Sequence, residues 1–538
     1  MQAEVAILKR LPRRLDTLTY LIPQGLSLRR GDLVLVPFRT LKLHGIVTRV
    51  SSGSREKLKC IFSLVISQFV SDAYLQCMES LAFQLVQSLS TILYSSVLLP
   101  SNKPNVSTDG STGAIVRRQI SVRKREIDFV KEIAQAALYK KMLTVQITDL
   151  AQAAAIIQAS SSSKGQRLIL VPHHHDGNTL SHALGIPFFD ATLKPTPKAQ
   201  LATRWRTGAE RELIATRLGS LLPAKDLVRA VIVRSGSPEH VQYDRNPRYD
   251  SREVLALRCG HVVSLEVLPR LNDLSKSEKT FWLPDELMTP VELIDLKQER
   301  GKELFLLTSS LLEAIGKALQ NGKNVILSYN RKGVSRSQEC RDCGWISTAD
   351  QKEIAICPAC KSTRLSHKGI GNQLVQKTLQ KIFTGIPVVR SEAGLVLKQP
   401  QQPHIIVATQ YYVQSVLDPF ALESVGLIAE LRADLGLLDT RYNALERLAR
   451  TLWQLRGLAW RAKAPFLVQS FDAPLTRHML DDCQGFLRDE LETRKRFHYP
   501  PSANIYRVAG RLERPSRDEL IALKQQPDSV IIERNPEV

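Results

Sequence analysis

The sequence predicts an α/β multidomain protein: a small N-terminal β-domain, then two consecutive parallel α/β blocks, the second carrying an inserted four-cysteine zinc ribbon. Three observations predict it. The first 66 residues alternate apolar and polar side chains with a period of two. Uninterrupted apolar strands such as RLILVPH (167–173) and AVIV (230–233) then alternate with helical spacings, as a sheet covered on both faces requires. Finally, CRDCGWISTADQKEIAICPAC (340–360) holds two Cys-x-x-Cys pairs. At 538 residues the chain exceeds what one core supports, so several domains are expected.

VAILKRL, TLTYLIP, GDLVLVPF and KLHGIVTRV, separated by Pro and Gly, predict short strands and a β-domain over 1–66. Residues 67–100 change to helical spacing, with Leu81, Phe83, Leu85 and Leu89 among the apolar positions, and form a helical extension. SNKPNVSTDGSTG (101–113) reads as a linker, and with the basic RRQISVRKR it fills 101–125. The first α/β block, 126–290, opens with helical FVKEIAQAALYKKM and LAQAAAIIQAS. WRTGAERELIATRLGSLL reads as a helix leading into AVIV. The second block, 291–475, has VELIDL, helical SSLLEAIGKALQNG, the strand NVILSYN, then LVQKTLQKIF, IPVVRS, HIIVATQ and SVGLIAELRADLGLL. The zinc ribbon occupies 336–368 within it, and 476–538 remain as a C-terminal segment.

Lys and Arg number 74 against 53 Asp and Glu, a net charge of +21. A surplus of that size favours a polyanionic partner, nucleic acid first, over a merely basic soluble protein. The run of Arg117, Arg118, Arg123, Lys124 and Arg125 reads equally as a solvated charged turn or as a phosphate-contacting strip. No secretory signal opens the chain, and the most apolar stretch, LSTILYSSVLLP, is too short to span a bilayer. No membrane association is expected. Cys60, Cys77, Cys259 and Cys483 are scattered, which suits a reducing cytoplasm rather than a disulfide framework.

Cys340, Cys343, Cys357 and Cys360 supply four thiolates on two tight turns, the donor set of one structural zinc ion. Four sulfurs leave no open coordination position, so the metal holds shape and performs no hydrolysis. His367 falls outside that shell as a surface histidine. Trp345 either stacks on a base or caps the knuckle, and buried aromatics mostly pack.

SYNRKG, CRDCGW and HKGIGNQLVQKTLQKIF resemble the second motor lobe of the bacterial primosomal protein N′ (PriA) family of replication-restart helicases. LTYLIPQGL, LVLVPF and KLHGIV are similar to its N-terminal domain, which captures the 3′ end of a nascent leading strand. ATRLGSLLP and NPRYDSREV resemble first-lobe segments, ATQ and ELRADLGLLDTRYNALERLARTLWQLRG second-lobe motifs, and RKRFHYPPSANI the start of a C-terminal domain. The resemblance implies that the two α/β blocks are RecA-like lobes and that 476–538 form a short, truncated α+β C-terminal domain.

The departures matter as much. The family carries a glycine-rich phosphate loop ending in Lys and Ser/Thr, but LTVQITDLAQAAAII has no glycine or lysine between Leu143 and Ile157, and SSSSKGQR reads as a loop. The family's Asp-Glu-Glu-His is replaced by RSGS (234–237), with Glu239 and His240 too late to serve. Arg461 matches one arginine of the finger motif, Leu458 stands at its partner position, and Ala408 replaces a glycine. One of two zinc sites is missing, and 101–125 have no room for the winged helix. In the 3′-end pocket Leu18 and Thr19 replace Phe and Asp, Arg39 replaces a glycine, and Lys59 matches. Losing that aromatic weakens stacking on a terminal base, which is typically worth ~1–3 kcal/mol, while Arg39 offers a phosphate contact.

These changes point to a pseudo-helicase without ATP or catalytic residues. Its expected role is to bind forked or junction DNA, help assemble the primosome and reload the replicative helicase, beside single-stranded DNA-binding protein and primosome components. A divergent but active ATP-dependent 3′–5′ helicase and a zinc-ribbon nucleic-acid adaptor are the competing readings. The expected DNA contacts are Arg39, Lys42 and Lys59 on the N-terminal face, the run Arg117, Arg118, Arg123, Lys124 and Arg125, and Arg245, Arg248 and Tyr249 at the position of the family's aromatic-rich loop.

Overall fold

The computed structural model describes residues 1–53, 58–99, 123–162, 164–299, 306–330, 339–345, 354–366, 371–392, 400–526 and 530–536. At the N-terminus, Leu18–Leu21, Gln2–Ile7, Leu41–Ser51, Leu33–Phe38 and Ser63–Ile66 lie side by side in that order as an antiparallel sheet. The period-two pattern places Val5, Val34, Val36 and Val47 in one core and Ala6, Leu33 and Ile46 in another. The second core is closed by the helices Asp72–Gln84 and Leu89–Ser96. Ser71 and Ser88 cap them, their hydroxyls accepting from the Tyr74 and Thr91 N–H groups at 3.2 Å. The same core includes Leu221 and Val254 of the first lobe, and the Tyr74 hydroxyl donates to the Leu221 carbonyl at 2.8 Å. The helical extension therefore fastens the β-domain to the first lobe.

In the first lobe, Lys279–Phe281, Met142–Gln146, His261–Glu266, Leu227–Val233, Gln166–Leu170, Glu212–Ala215 and Phe188–Phe189 form one parallel sheet in that order. Successive residues feed opposite cores: Ile169, Val231 and Val263 face one, and Leu168, Ala230, Ile232 and Val262 the other. That explains the uninterrupted apolar runs. WRTGAERELIATRLGSLL is not one helix. The helix Pro195–Thr207 stops at Gly208, in the left-handed region at φ +82°, and Glu212–Ala215 enters the sheet before a short 3-10 turn at Arg217–Leu221. Leu213 and Ile214 point into opposite cores, a demand of the sheet interior that overrides local helical spacing.

The second lobe repeats the design with Val291–Asp295, Phe466–Ser470, Val425–Glu430, Asn324–Ser328, Ile405–Ala408 and Val388–Ser391, again all parallel. Its outer face has its own core around Val325, Leu327, Val407 and Leu427. Its inner face does not. Ile326, Ile406, Ile428 and Val468 belong to the same hydrophobic cluster as Ile169, Val231 and Val263 of the first lobe. The helix Ala444–Ala462 bridges them, contributing Leu452, Trp453, Leu455 and Leu458. The helices Ala473–Asp481 and Cys483–Arg496 follow. They lead to a three-stranded antiparallel sheet ordered Arg511–Glu513, Tyr506–Val508, Ile532–Arg534. It packs Tyr506 and Ile532 on Val86, and the Lys524 ammonium meets the Asp16 carboxylate at 2.7 Å. Among the described residues no helix is long and apolar enough to cross a membrane.

A core shared by both lobes requires them to unfold together. Calorimetry and near-ultraviolet circular dichroism are expected to report one coincident transition. Leu452→Ala, at a fully buried position of that core, should lower stability by ~2–5 kcal/mol. Two separated transitions in the unaltered protein would contradict the shared core.

Candidate nucleic-acid interface, metal centre and interlobe cleft

On the open face of the β-domain a cavity of about 550 Å³ is bordered by Leu18, Thr19, Tyr20, Phe38, Arg39 and Lys59 among others. Arg39 sits at the turn between Leu33–Phe38 and Leu41–Ser51, in the left-handed region at φ 55°, and its guanidinium lies 5.7 Å from the Phe38 ring centre. Lys59 donates to the Arg39 carbonyl at 3.3 Å. Lys42 lies over the exposed Phe62 ring at 4.9 Å on the neighbouring surface. The pocket thus joins two cations to Phe38, an aromatic edge that can meet a base while the cations meet phosphates.

The four cysteines come together. Sγ of Cys340 is 3.5 Å from that of Cys360, and Sγ of Cys343 is 3.6 Å from that of Cys357. All four sulfurs lie within 4.8 Å of one another, too far apart for disulfides and close enough to surround one metal ion. Each pair sits on a tight turn: the Gly344 N–H donates to the Cys340 carbonyl, and the Lys361 N–H to that of Cys357, both at 2.9 Å. Gly344 and Lys361 are both left-handed, at φ 77° and 61°. The short antiparallel strands Glu339–Cys340 and Leu365–Ser366 close the knot. Arg432 holds it to the second lobe, donating to the Gly344 carbonyl at 2.8 Å while its guanidinium lies 4.7 Å over Phe471. Trp345 is half-buried, and its carbonyl accepts the Cys340 N–H at 2.7 Å. His367 lies outside the described residues.

Between the lobes, the strand Met142–Gln146 gives way to the helix Leu150–Ala159 after three residues. A turn of this kind offers backbone N–H groups to a phosphate. Here they are occupied. Asp149 Oδ1 accepts from the Ala151 and Gln152 N–H groups at 2.8 and 3.0 Å, and Gln152 Oε1 accepts from the Thr148 N–H at 2.8 Å. Arg461 reaches across from the second lobe, donating through Nε to Asp149 at 2.8 Å and through its fork to Glu126 at 2.9 and 3.1 Å. Burial lowers the Arg461 pKa, but Asp149 and then Glu126 outweigh it and raise it above the usual guanidinium value. One turn earlier, a Cβ on Gly457 would lie 1.7 Å from the Thr148 carbonyl oxygen, so the close approach of the two lobes requires glycine there. The space left between Thr148, Asp149, Arg234 and Leu458 is a cavity of about 10 Å³, no more than one water needs.

At the end of the strand Leu227–Val233, the RSGS segment turns away with Arg234 left-handed at φ 49°. Arg234 Nη1 is 3.3 Å from the fully buried Asp176 carboxylate. Glu266 holds the segment, accepting from the Gly236 N–H at 2.6 Å and from the Val267 N–H at 2.8 Å.

The other expected contacts fall in several environments. Arg117 and Arg118 lie outside the described residues, while Lys124 and Arg125 are exposed. Arg123 is turned inward, 3.9 Å over the Trp460 ring and donating to the Arg461 carbonyl at 2.6 Å. Arg245 is exposed. Arg248 is tied to the Tyr243 carbonyl at 2.8 Å and to Glu533 of the C-terminal sheet at 3.2 Å. Tyr249 is buried at 3% exposure in the core shared with the helical extension, so it packs rather than facing a ligand. The Asp149–Arg461–Glu126 cluster was not legible in the sequence. Asp149 before an apolar helical run marks a helix cap, but nothing local announces that its carboxylate also meets Arg461.

Residues 5–97 match the family model described as the 3′ DNA-binding domain (3′BD) of PriA, which takes in both the β-domain and the helical extension. Replication restart protein PriA of Rickettsia conorii is 23% identical over 555 residues, covering 91% of this chain and 84% of the relative. PriA of Bacillus subtilis is 22% identical over 354 residues, covering 55% of this chain and only 43% of the relative. Among solved structures, RecG bound to a three-way DNA junction superposes over 70% of this chain and 47% of its own at a TM-score of 0.39 and 12% identity. Its match to the 3′ DNA-binding domain over residues 5–97 and an alignment through 91% of its length make this chain similar to the PriA replication restart proteins.

Proposed function

We propose that this protein acts in replication restart as a cytoplasmic DNA-binding scaffold: it recognises forked or branched DNA and helps assemble the primosome and reload the replicative helicase, without hydrolysing ATP or unwinding. The observation that carries the reading is the state of the turn before Leu150–Ala159. A triphosphate needs free N–H groups and a cation there. Asp149 already uses the N–H groups, its negative charge repels phosphate, and Arg461 is committed to it and to Glu126. Directly at the turn, Thr148, Asp149, Arg234 and Leu458 leave only about 10 Å³, while the larger interlobe cavity of about 1300 Å³ opens beyond Ala151 and Arg461. DNA binding makes no such demand, since phosphate contacts need only exposed Lys and Arg. The N-terminal pocket, the +21 charge and the family match at 5–97 support that half of the reading.

The cysteine cluster fits zinc, whose tetrahedral Zn–S bonds of about 2.3 Å put the sulfurs near the spacing seen. Its place, anchored by Arg432 to the second lobe, gives it a structural role.

Purified protein is expected to bind forked DNA and to release no phosphate from ATP with or without that DNA. DNA-stimulated turnover would establish the active-helicase reading instead, and failure to bind forks would remove the scaffold reading. Arg461→Ala leaves two buried carboxylates without their counter-charge and should cost ~3–5 kcal/mol in denaturant unfolding, a loss too large for an idle finger residue. Chelation should release one zinc ion per chain, measured by a metallochromic dye, and loosen 339–345 and 354–366 in hydrogen exchange while the core strands keep their protection.

A further inference from the structure

Beside the pocket at Arg39 and Lys59, the N-terminal sheet presents an aromatic ring that no core absorbs. Phe62 is 48% exposed and belongs to neither hydrophobic cluster of the β-domain. Its backbone is fixed all the same: the Phe62 N–H donates to the Leu35 carbonyl at 2.9 Å, just before the strand Ser63–Ile66. A ring held on a sheet and open to solvent surrenders little conformational freedom when a ligand covers it. The exposed Lys42 ammonium lies 4.9 Å over that ring. Lys42 is the register partner of Pro37, which lines the pocket, as does Lys59, three residues before Phe62. The ring and its cation therefore continue the pocket along the sheet.

The surroundings select the partner. Residues 33–51 and 58–66, which build this part of the sheet, contain no Asp or Glu. Arg39, Lys42 and Lys59 form no ion pair among the described residues, so their charge is open to a ligand. Phe38 carries the same pairing of ring and cation, with Lys9 and Arg39 at 5.3 and 5.7 Å from its ring centre. One sheet thus bears two aromatic–cation units joined by a pocket. Exposed cations interleaved with rings match a chain that alternates phosphates with flat bases. The bases of a duplex are stacked on one another and cannot cover a protein ring, so the matching chain is single-stranded nucleic acid.

We propose that Phe62 and Lys42 form a second nucleotide site: Phe62 stacks on a base of a single strand whose end lies in the Arg39–Lys59 pocket, and Lys42 swings from the ring to the adjacent phosphate. The site rests on the DNA-binding half of the proposed function and is independent of ATP turnover. The test titrates the full-length protein with a thymidine dinucleotide, a thymidine hexanucleotide and forked DNA. The hexanucleotide should bind more tightly than the dinucleotide. Phe62→Ala should weaken the hexanucleotide roughly tenfold or more, with its salt slope and the dinucleotide affinity unchanged. Lys42→Gln should instead lower the hexanucleotide salt slope by about one. Phe62→Trp should keep the affinity, and the hexanucleotide should quench the introduced indole. Phe62 lies outside the cores, so these variants should unfold as the unaltered protein does. Hexanucleotide affinity untouched by Phe62→Ala, or an indole that the hexanucleotide does not quench, would overturn the site while fork binding, and the scaffold reading with it, stands. An unaltered protein that binds neither oligonucleotide nor fork would overturn both.

Discussion

Everything in the two-lobe body depends on how the helix Ala444–Ala462 is held. It belongs to the second lobe by sequence but is fixed to the first lobe at three levels. Arg450 reaches the Gly236 carbonyl, Gly457 lies against the Thr148 carbonyl, and Arg461 is clasped by Asp149 and Glu126. Between those points its apolar side chains complete a core whose other walls are the inner faces of both sheets. An ion pair alone would be a weak clamp, because desolvation offsets most of the Coulomb attraction. Joined to a continuous apolar core, it fixes orientation while burial supplies the cohesion. Two lobes built this way form one unit rather than a hinge waiting for a ligand.

The same device recurs through the rest of the molecule. The helices Asp72–Gln84 and Leu89–Ser96 are covered by the N-terminal sheet on one side and by first-lobe residues on the other. Arg494 joins the helix Cys483–Arg496 to Glu446 at 2.7 Å, and Glu446 in turn orients Arg450. Arg248 and Arg507 both meet Glu533 on the last strand. Each of these contacts pairs an arginine with a carboxylate, so the domains are joined without drawing on the +21 surplus, which stays available for nucleic acid.

The elements with a strong local rhythm were legible in the sequence. The cysteine pairs, the buried strands and the alternating N-terminal domain follow from spacing and period alone. The strand Glu212–Ala215 was not, because four apolar-rich residues inside a helical spacing carry too little pattern to outweigh their neighbours. Arg123, Arg248 and Tyr249 illustrate a second limit. Composition marks such residues as available for a ligand, and only tertiary partners such as Trp460, Glu533 and Leu221 decide that they are turned inward. The Asp149–Arg461 pair is 312 residues apart in the chain, a separation at which one sequence holds no trace of contact.

That pair also constrains how the sequence can drift. In a protein whose arginine at this place answers to a nucleotide, each partner is kept by the ligand and can be judged alone. Here Arg461 answers to Asp149 and Glu126, and Gly457 to a carbonyl on the opposite lobe. None of the three charged positions can change without stranding another. Across descendants of this chain they should therefore be inherited as a set, replaced together or retained together.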